Sequence, residues 1–179
     1  MKQITINVYS FKELNEKAKQ KAIDKYYHLE QLWYSHIYDS AESVGIKIES
    51  FDIYRNDLEI KDTKDFPDIA EKTKECMESY IKDGYKAEKE DLKLYEETKD
   101  YLCRYTKLKE DLEKTDLWEE IDDIYDQIND LHMEYKGCLE GYYLICLKRE
   151  YEYYYSDTYI QDYFEYNEYN FNEDGFIIY

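Results

Sequence analysis

The chain is short of residues that break helices: one proline and five glycines among 179 residues. Scarce breakers point to long helices joined by short connections. Cysteine is sparse too. Cys76, Cys103, Cys138 and Cys146 form no CxxC pair, and buried, reduced thiols in a cytosolic protein are the expectation. No long apolar run opens the sequence, so no signal peptide is expected. The most apolar stretch, Leu139 to Leu147, is far shorter than the ~20 residues a membrane span needs. No membrane partner is therefore expected.

Catalytic signatures are missing as well. The sequence contains no GxSxG, Walker loop, GxGxxG or HExxH. The acidic run Asp122 to Asp130 lacks the glycine and the position-12 glutamate of an EF-hand loop. His28, His36 and His132 have no metal-ligand spacing, and His36 falls on the apolar side of a helical pattern, where a core histidine is expected. No carboxylate pair stands out as acid and base. The expectation is a protein without enzymatic activity and without a cofactor.

What the chain has in abundance is negative charge, and it is unevenly placed. The net charge is −19. Residues 1–109 carry 20 basic and 23 acidic groups, whereas residues 110–134 carry one basic and 11 acidic groups. Residues 150–179 have eight acids and no lysine or arginine. A surface of this kind repels nucleic acid and anionic membrane and attracts basic proteins.

The first acidic block lies on the most regular stretch of the chain. Leu117, Ile121, Ile124, Ile128, Leu131, Tyr135, Cys138, Tyr142 and Ile145 recur in alternating steps of 4 and 3, a coiled-coil seam on one helix. Off the seam lie Glu119, Glu120, Asp122, Asp123, Asp126, Asp130 and Glu134. Glu119, Asp123, Asp126 and Asp130 share a face at a spacing of about 5–6 Å, comparable in scale to the strand phosphates of a duplex, one per ~3.4 Å of axis. A carboxylate track offered to a nucleic-acid-binding groove is one reading; a solvated helix face is the other. The second block interleaves Glu150, Glu152, Asp157 and Asp162 with tyrosines, Tyr153 among them. Tyrosine is enriched at interface hot spots, although several of these rings are expected to pack the last helix onto the body.

Taken in order, Ile4, Ile6 and Val8 alternate as a half-buried strand. Asn15 is a plausible N-cap for a helix through about Tyr27. A second helix carries Leu29, Leu32, Trp33, His36, Ile37, Ala41 and Val44, and stops at Gly45. Ile46 to Ile53 read as a strand with a bulge, Asn56-Asp57 as a turn, and Leu58 to Ile60 as the return strand. Residues 1–62 thus form a β-α-α-β-β unit. Pro67 suits the first turn of a helix that buries Ile69, Thr73, Cys76, Met77, Tyr80 and Ile81 and ends at Gly84. A helix over 86–113 carries a matched seam of Leu94, Thr98, Tyr101, Tyr105, Leu108 and Leu112. It folds back on the helix over 117–155, which Thr115 or Asp116 caps, so that residues 63–155 form a helical region. Residues 156–179 add a short helix capped by Ser156 or Asp157, a turn at Asn172–Gly175 and a strand packing back on the body. The fold class expected is α+β, predominantly α: a small N-terminal α/β unit with a short antiparallel sheet, plus a long antiparallel, coiled-coil-like helical hairpin.

Both ends of the chain carry a resemblance. Val8-Tyr9-Ser10-Phe11-Lys12-Glu13-Leu14-Asn15-Glu16-Lys17-Ala18-Lys19-Gln20-Lys21-Ala22, then Trp33, Gly45-Ile46 and Ser50-Phe51-Asp52-Ile53-Tyr54, with Glu150-Tyr151-Glu152-Tyr153, Ser156-Asp157, Asn167-Glu168-Tyr169-Asn170-Phe171 and Asp174-Gly175, resemble a family of small acidic phage and prophage proteins. The middle, about 65–135, is not diagnostic. The resemblance carries no catalytic motif. It implies a role in the cytoplasm of a bacterial host, in inhibition of a defence system, and by analogy with type II anti-CRISPR proteins a basic host nuclease, Cas9 or similar, as partner. Direct binding of nucleic acid is not expected from the charge. The alternative is a structural or regulatory phage protein that forms a homodimer through its helical hairpin.

Overall fold

The computed structural model describes residues 7–26 and 34–178. In chain order the elements are β1 (Tyr9–Ser10), a single 3-10 turn (Phe11–Glu13), α1 (Glu16–Tyr26), α2 (Ser35–Val44), β2 (Ile46–Asp52), β3 (Asp57–Asp62), α3 (Phe66–Lys82), α4 (Lys89–Lys114), α5 (Trp118–Tyr154), α6 (Asp157–Tyr166) and β4 (Asn170–Phe171). The fold is α+β and predominantly α, with two separate two-stranded antiparallel sheets among the described residues, β1–β4 and β2–β3, where the sequence suggested one. The chain forms two compact units. One groups the N-terminal segment with Arg149–Tyr179; the other is Tyr34–Lys148. The hairpin β2–β3 therefore belongs with the helices that follow it, and α1 with the C-terminal segment, rather than together in a 1–62 unit. The reason is burial. The apolar side chains of α1 have their partners on α6 and β4, and those of β2–β3 have theirs on α2, α3 and α5.

In the first unit, Asn15 caps α1 as its sequence position predicts, its Oδ1 accepting the Ala18 N–H at 3.0 Å. Ala18, Ala22, Ile23 and Tyr26 form the buried face of α1, and the small alanines suit close approach of α6. Ile160 and Phe164 of α6 meet this face together with Phe11, Leu14 and Phe171. The Phe164 ring sits 5.0 Å from Tyr26 and 5.1 Å from Phe171, both edge-on, the geometry that ring quadrupoles favour. The Ser156 Oγ accepts the Tyr159 N–H and caps α6. Sheet pairing is only two residues deep: Tyr9 opposite Phe171 and Ser10 opposite Asn170. Val8 lies before the strand and is exposed; Ile4 and Ile6 lie outside the described residues.

In the second unit, α2 ends at Gly45, whose φ of +99° is the left-handed conformation glycine adopts at helix ends. Thr63 closes the loop there, its N–H and hydroxyl both donating to the Gly45 carbonyl. Ile46, Ile48, Leu58 and Ile60 point into the core, and the register slips between Ile48 and Ser50, the expected bulge. His36 is exposed, not in the core. Its helix is only ten residues long, and its buried line is Ile37, Ala41 and Val44. Leu29, Leu32 and Trp33 lie outside the described residues. On α3 the buried residues are Ile69, Ala70 and Thr73; Cys76 and Met77 are half-buried, and Tyr80 and Ile81 are exposed, because the helix runs past the core toward Gly84.

Helices α4 and α5 run antiparallel, joined by three residues. Going up α4 and down α5, Asp91 accepts the Tyr142 hydroxyl at 3.0 Å, the Thr98 and Tyr135 hydroxyls share a hydrogen bond at 3.1 Å, and Arg104 meets Glu134. Tyr101 stacks on Tyr135 at 4.5 Å between centroids. The seam holds at Ile124, Ile128, Leu131 and Tyr135, then changes. The buried positions continue as Leu139, Tyr143 and Leu147, while Cys138 and Tyr142 are half-buried and Leu117 and Ile145 are exposed. Beyond Tyr135 the helix is covered on two sides. Tyr142 faces α4, and Tyr143 joins the core cluster that holds Ile37, Ala41 and Val44 of α2. The heptad seam is thus correct in its middle, from Ile124 to Tyr135, and incorrect at both of its ends, Leu117 and Ile145. At the start of α5, the Thr115 hydroxyl accepts the Leu117 N–H at 3.4 Å, but the helix proper begins at Trp118, so neither Thr115 nor Asp116 occupies the cap itself.

Candidate functional site: the acidic face of the long helix

Because α5 is unbroken over Trp118–Tyr154, side-chain directions follow from 100° per residue. The buried line through Ile124, Ile128, Leu131 and Tyr135 and the line through Glu119, Asp123, Asp126 and Asp130 are separated by roughly 140°. The four carboxylates fall within about 60° of one another and cover a rise of about 16 Å. All four are exposed.

The other acids of the block divide by what they touch. Glu134 accepts two hydrogen bonds from Arg104, at 2.9 Å each, which hold its carboxyl below the usual carboxylate range. Glu120 accepts the Thr115 hydroxyl. Glu119, Asp122, Asp123, Asp126 and Asp130 make no side-chain hydrogen bond or ion pair among the described residues. Structure therefore separates one block of charge into acids engaged by the fold and acids left to solvent.

The second block lies in the other unit. Glu150 is half-buried, and Glu152, Asp157 and Asp162 are exposed. Tyr153 is 55% exposed, its ring against Tyr159 at 5.0 Å. Tyr159, Tyr163 and Tyr169 pack against the apolar cluster around Phe164. Most of this tyrosine-rich block is thus packing, and Tyr166, at 89% exposure, is the ring most open to solvent among the described residues.

Sequence reasoning missed two features. The first is a cleft of about 330 Å³ between α4 and α5, floored by Tyr101, Leu131 and Tyr135 and rimmed by Glu96, Glu97, Asp100, Arg104, Glu134 and Cys138. Its acids are engaged by the protein's own cations: Lys99 pairs with Glu96, Lys93 with Glu97, and Arg104 with both Asp100 and Glu134. Burial pushes the Cys138 thiol up to about 11, so the rim carries no ready nucleophile. No group of histidine, cysteine and carboxylate side chains among the described residues is arranged to hold a metal ion. The second is a line of exposed apolar side chains on α5, Trp118, Tyr125 and Met133. Their spacing of seven and eight residues lies outside the heptad seam. No helix of the described residues is long and apolar enough to cross a membrane.

No protein-family model, no curated protein and no solved structure matches this chain.

Proposed function

We propose that this chain is a phage-encoded inhibitor that binds the positively charged nucleic-acid groove of a host defence nuclease, the RNA-guided nuclease Cas9. One observation carries the reading: Glu119, Asp123, Asp126 and Asp130 form a straight, exposed track with no partner among the described residues, on the side of α5 turned away from its core. A rigid line of anions needs no ordering before it meets a basic groove, so little conformational entropy opposes binding. Cas9 holds its guide–target heteroduplex in a positive channel and reads the short flanking motif with arginines. Carboxylates in those positions block DNA binding or cleavage without chemistry of their own.

The test is the variant Glu119→Lys, Asp123→Lys, Asp126→Lys, Asp130→Lys, titrated against Cas9 in a DNA-cleavage assay. Inhibition should fall by roughly two orders of magnitude or more, since removing charge pairs from a complementary interface costs several kcal/mol in total. Far-UV circular dichroism should show the helices intact. The parent's association rate should also drop at least about tenfold between low and physiological salt, as steered encounters do. Full inhibition by the lysine variant removes the track from the mechanism.

A further inference from the structure

We infer that α5 carries a second contact line beside the carboxylates, an apolar stripe that fits a cationic amphipathic segment of a partner protein: apolar side chains flanked by lysine or arginine. This rests on the reading of α5 as a partner-binding helix and adds a chemical requirement that a purely electrostatic track does not have. The stripe is Trp118, Tyr125 and Met133, which are 80%, 52% and 65% exposed. At 100° per residue they fall within a sector of about 80°, extend about 22 Å along the helix, and are centred roughly 130° from the buried line and roughly 90° from the carboxylate track. Asp122 and Asn129 lie between them on the same sector. None of the three has a ring contact or hydrogen bond among the described residues, so the fold does not use them.

Single exposed apolar residues are ordinary. Three large ones aligned on a rigid helix whose other exposed positions between 118 and 134 are acids and amides are not. Trp, Tyr and Met are the side chains enriched where protein surfaces bury each other. Charge decides the occupant. A second copy docked symmetrically on this stripe would bring Asp122 and Asp126 against their own equivalents, in a segment, residues 110–134, with 11 acids and one base. Nucleic acid could stack on the rings only by carrying its phosphates past the same acids. A partner segment that is apolar at its centre and basic at its edges satisfies both features, with the apolar side chains on Trp118, Tyr125 and Met133 and the cations on Asp122 and Asp126.

The chain has two tryptophans, so a Trp33→Phe background leaves Trp118 as the single indole reporter. Two probes are titrated into the full chain: a 14-residue leucine–lysine peptide patterned as an amphipathic helix, and an oligolysine of equal charge. The expected result is a blue shift of Trp118 emission and shielding from acrylamide with the amphipathic peptide but not with oligolysine. Trp118→Ala with Tyr125→Ala should weaken the amphipathic peptide about tenfold or more, measured by calorimetry, while Tyr54→Ala, an equally exposed ring on the β2–β3 turn, changes nothing. Equal binding of both probes with unmoved emission overturns the stripe and leaves the electrostatic track standing. Dimerisation of the chain through Trp118, lost in the double variant by sedimentation, overturns it in favour of a second copy. Binding of the amphipathic peptide that survives Asp122→Lys with Asp126→Lys removes the cationic half of this inference and leaves the track to its own test against Cas9.

Discussion

Gly175 offers the sharpest test of how the C-terminal segment is held. It sits at φ +85° in the turn that follows β4, its N–H donating to the Asn172 carbonyl at 3.0 Å. The Asn172 Oδ1 accepts from the Asp174 and Phe176 N–H groups, at 3.1 and 2.9 Å, and fixes the turn. A Cβ added at Gly175 would stand 2.1 Å from the Ala18 carbonyl oxygen and 2.9 Å from its carbonyl carbon. That oxygen belongs to the backbone of α1 and cannot rotate away, so the turn itself must lift. Two costs add. The left-handed conformation costs a side chain about 1–2 kcal/mol. Lifting the turn strains the bridge from Ile177 to fully buried Phe171, and loosening a large core ring adds about 1–3 kcal/mol. Gly175→Ala should therefore lose about 3 kcal/mol. Gly84 is the control. Its φ is +81°, but nothing lies within 4 Å of an added Cβ, so Gly84→Ala should lose only the conformational ~1–2 kcal/mol. Hydrogen exchange read by mass spectrometry separates the two. Gly175→Ala should deprotect α1 and α6 together, and Gly84→Ala only the end of α3. Equal losses in the two variants, or unchanged protection of α1, would show that the turn does not bear on Ala18.

Two further outcomes follow from buried titratable groups. His132, with its Nε2 buried and without a hydrogen bond among the described residues, is stacked on Phe66 at 5.2 Å; burial lowers its pKa and Asp65 only partly offsets this. The unfolded chain then binds the proton more readily, so this contribution is fully present above the ordinary value near 6.5 and is lost as pH falls through the lowered folded value. Urea midpoints between pH 7.5 and 5 should drop more for the parent than for His132→Phe; parallel curves would refute it. For the thiols, exposed Cys103 should take up iodoacetamide at pH 8 well before Cys138, whose pKa burial raises to about 11. Peptide mapping of partially labelled protein checks the order.

The features legible in the sequence are those set by neighbouring residues. Asn15 and Ser156 cap their helices because a side-chain oxygen two or three residues before a free N–H has little else to do. Gly45 and the bulge after Ile48 are local in the same way. The seam was half legible for a geometric reason. A strict 3.5-residue repeat drifts about 20° per heptad against a 3.6-residue helix, and Leu117 and Ile145 at its two ends are exposed; a second wall, reached by Leu139, Tyr143 and Leu147, takes over instead. The pairing of Tyr9 with Phe171 joins two-residue strands some 160 positions apart, and no periodicity can announce so short a ladder. The candidate site was legible as composition, since the acids are where the charge count put them. It was not legible as function, because sequence cannot separate Glu134, clasped by Arg104, from Asp126, which has no clasp.

That separation gives the acidic face its strongest argument. Glu119 and Glu120 stand in the first turn of α5, where the helix dipole favours anions, and Glu134 is held by Arg104. These acids have reasons within the fold. Asp126 has none. It lies beyond the first turn, aspartate is a poor helix former, and it faces like charges at Asp122, Asp123 and Asp130, three or four residues away. Each such pair costs about 0.2–0.5 kcal/mol. A helix shaped by stability and solubility would alternate signs here, as α4 does with Lys93–Glu97 and Arg104–Asp100. Asp126→Lys turns all three repulsions into attractions and improves helix propensity, so it should raise stability by about 1–2 kcal/mol, seen as a higher urea midpoint. If the track serves a basic partner, the same variant should bind Cas9 more weakly. Stability and binding moving in opposite directions marks a residue kept for a purpose outside the fold. A variant that is less stable, or one that is more stable and inhibits fully, would return Asp126 to the ordinary surface.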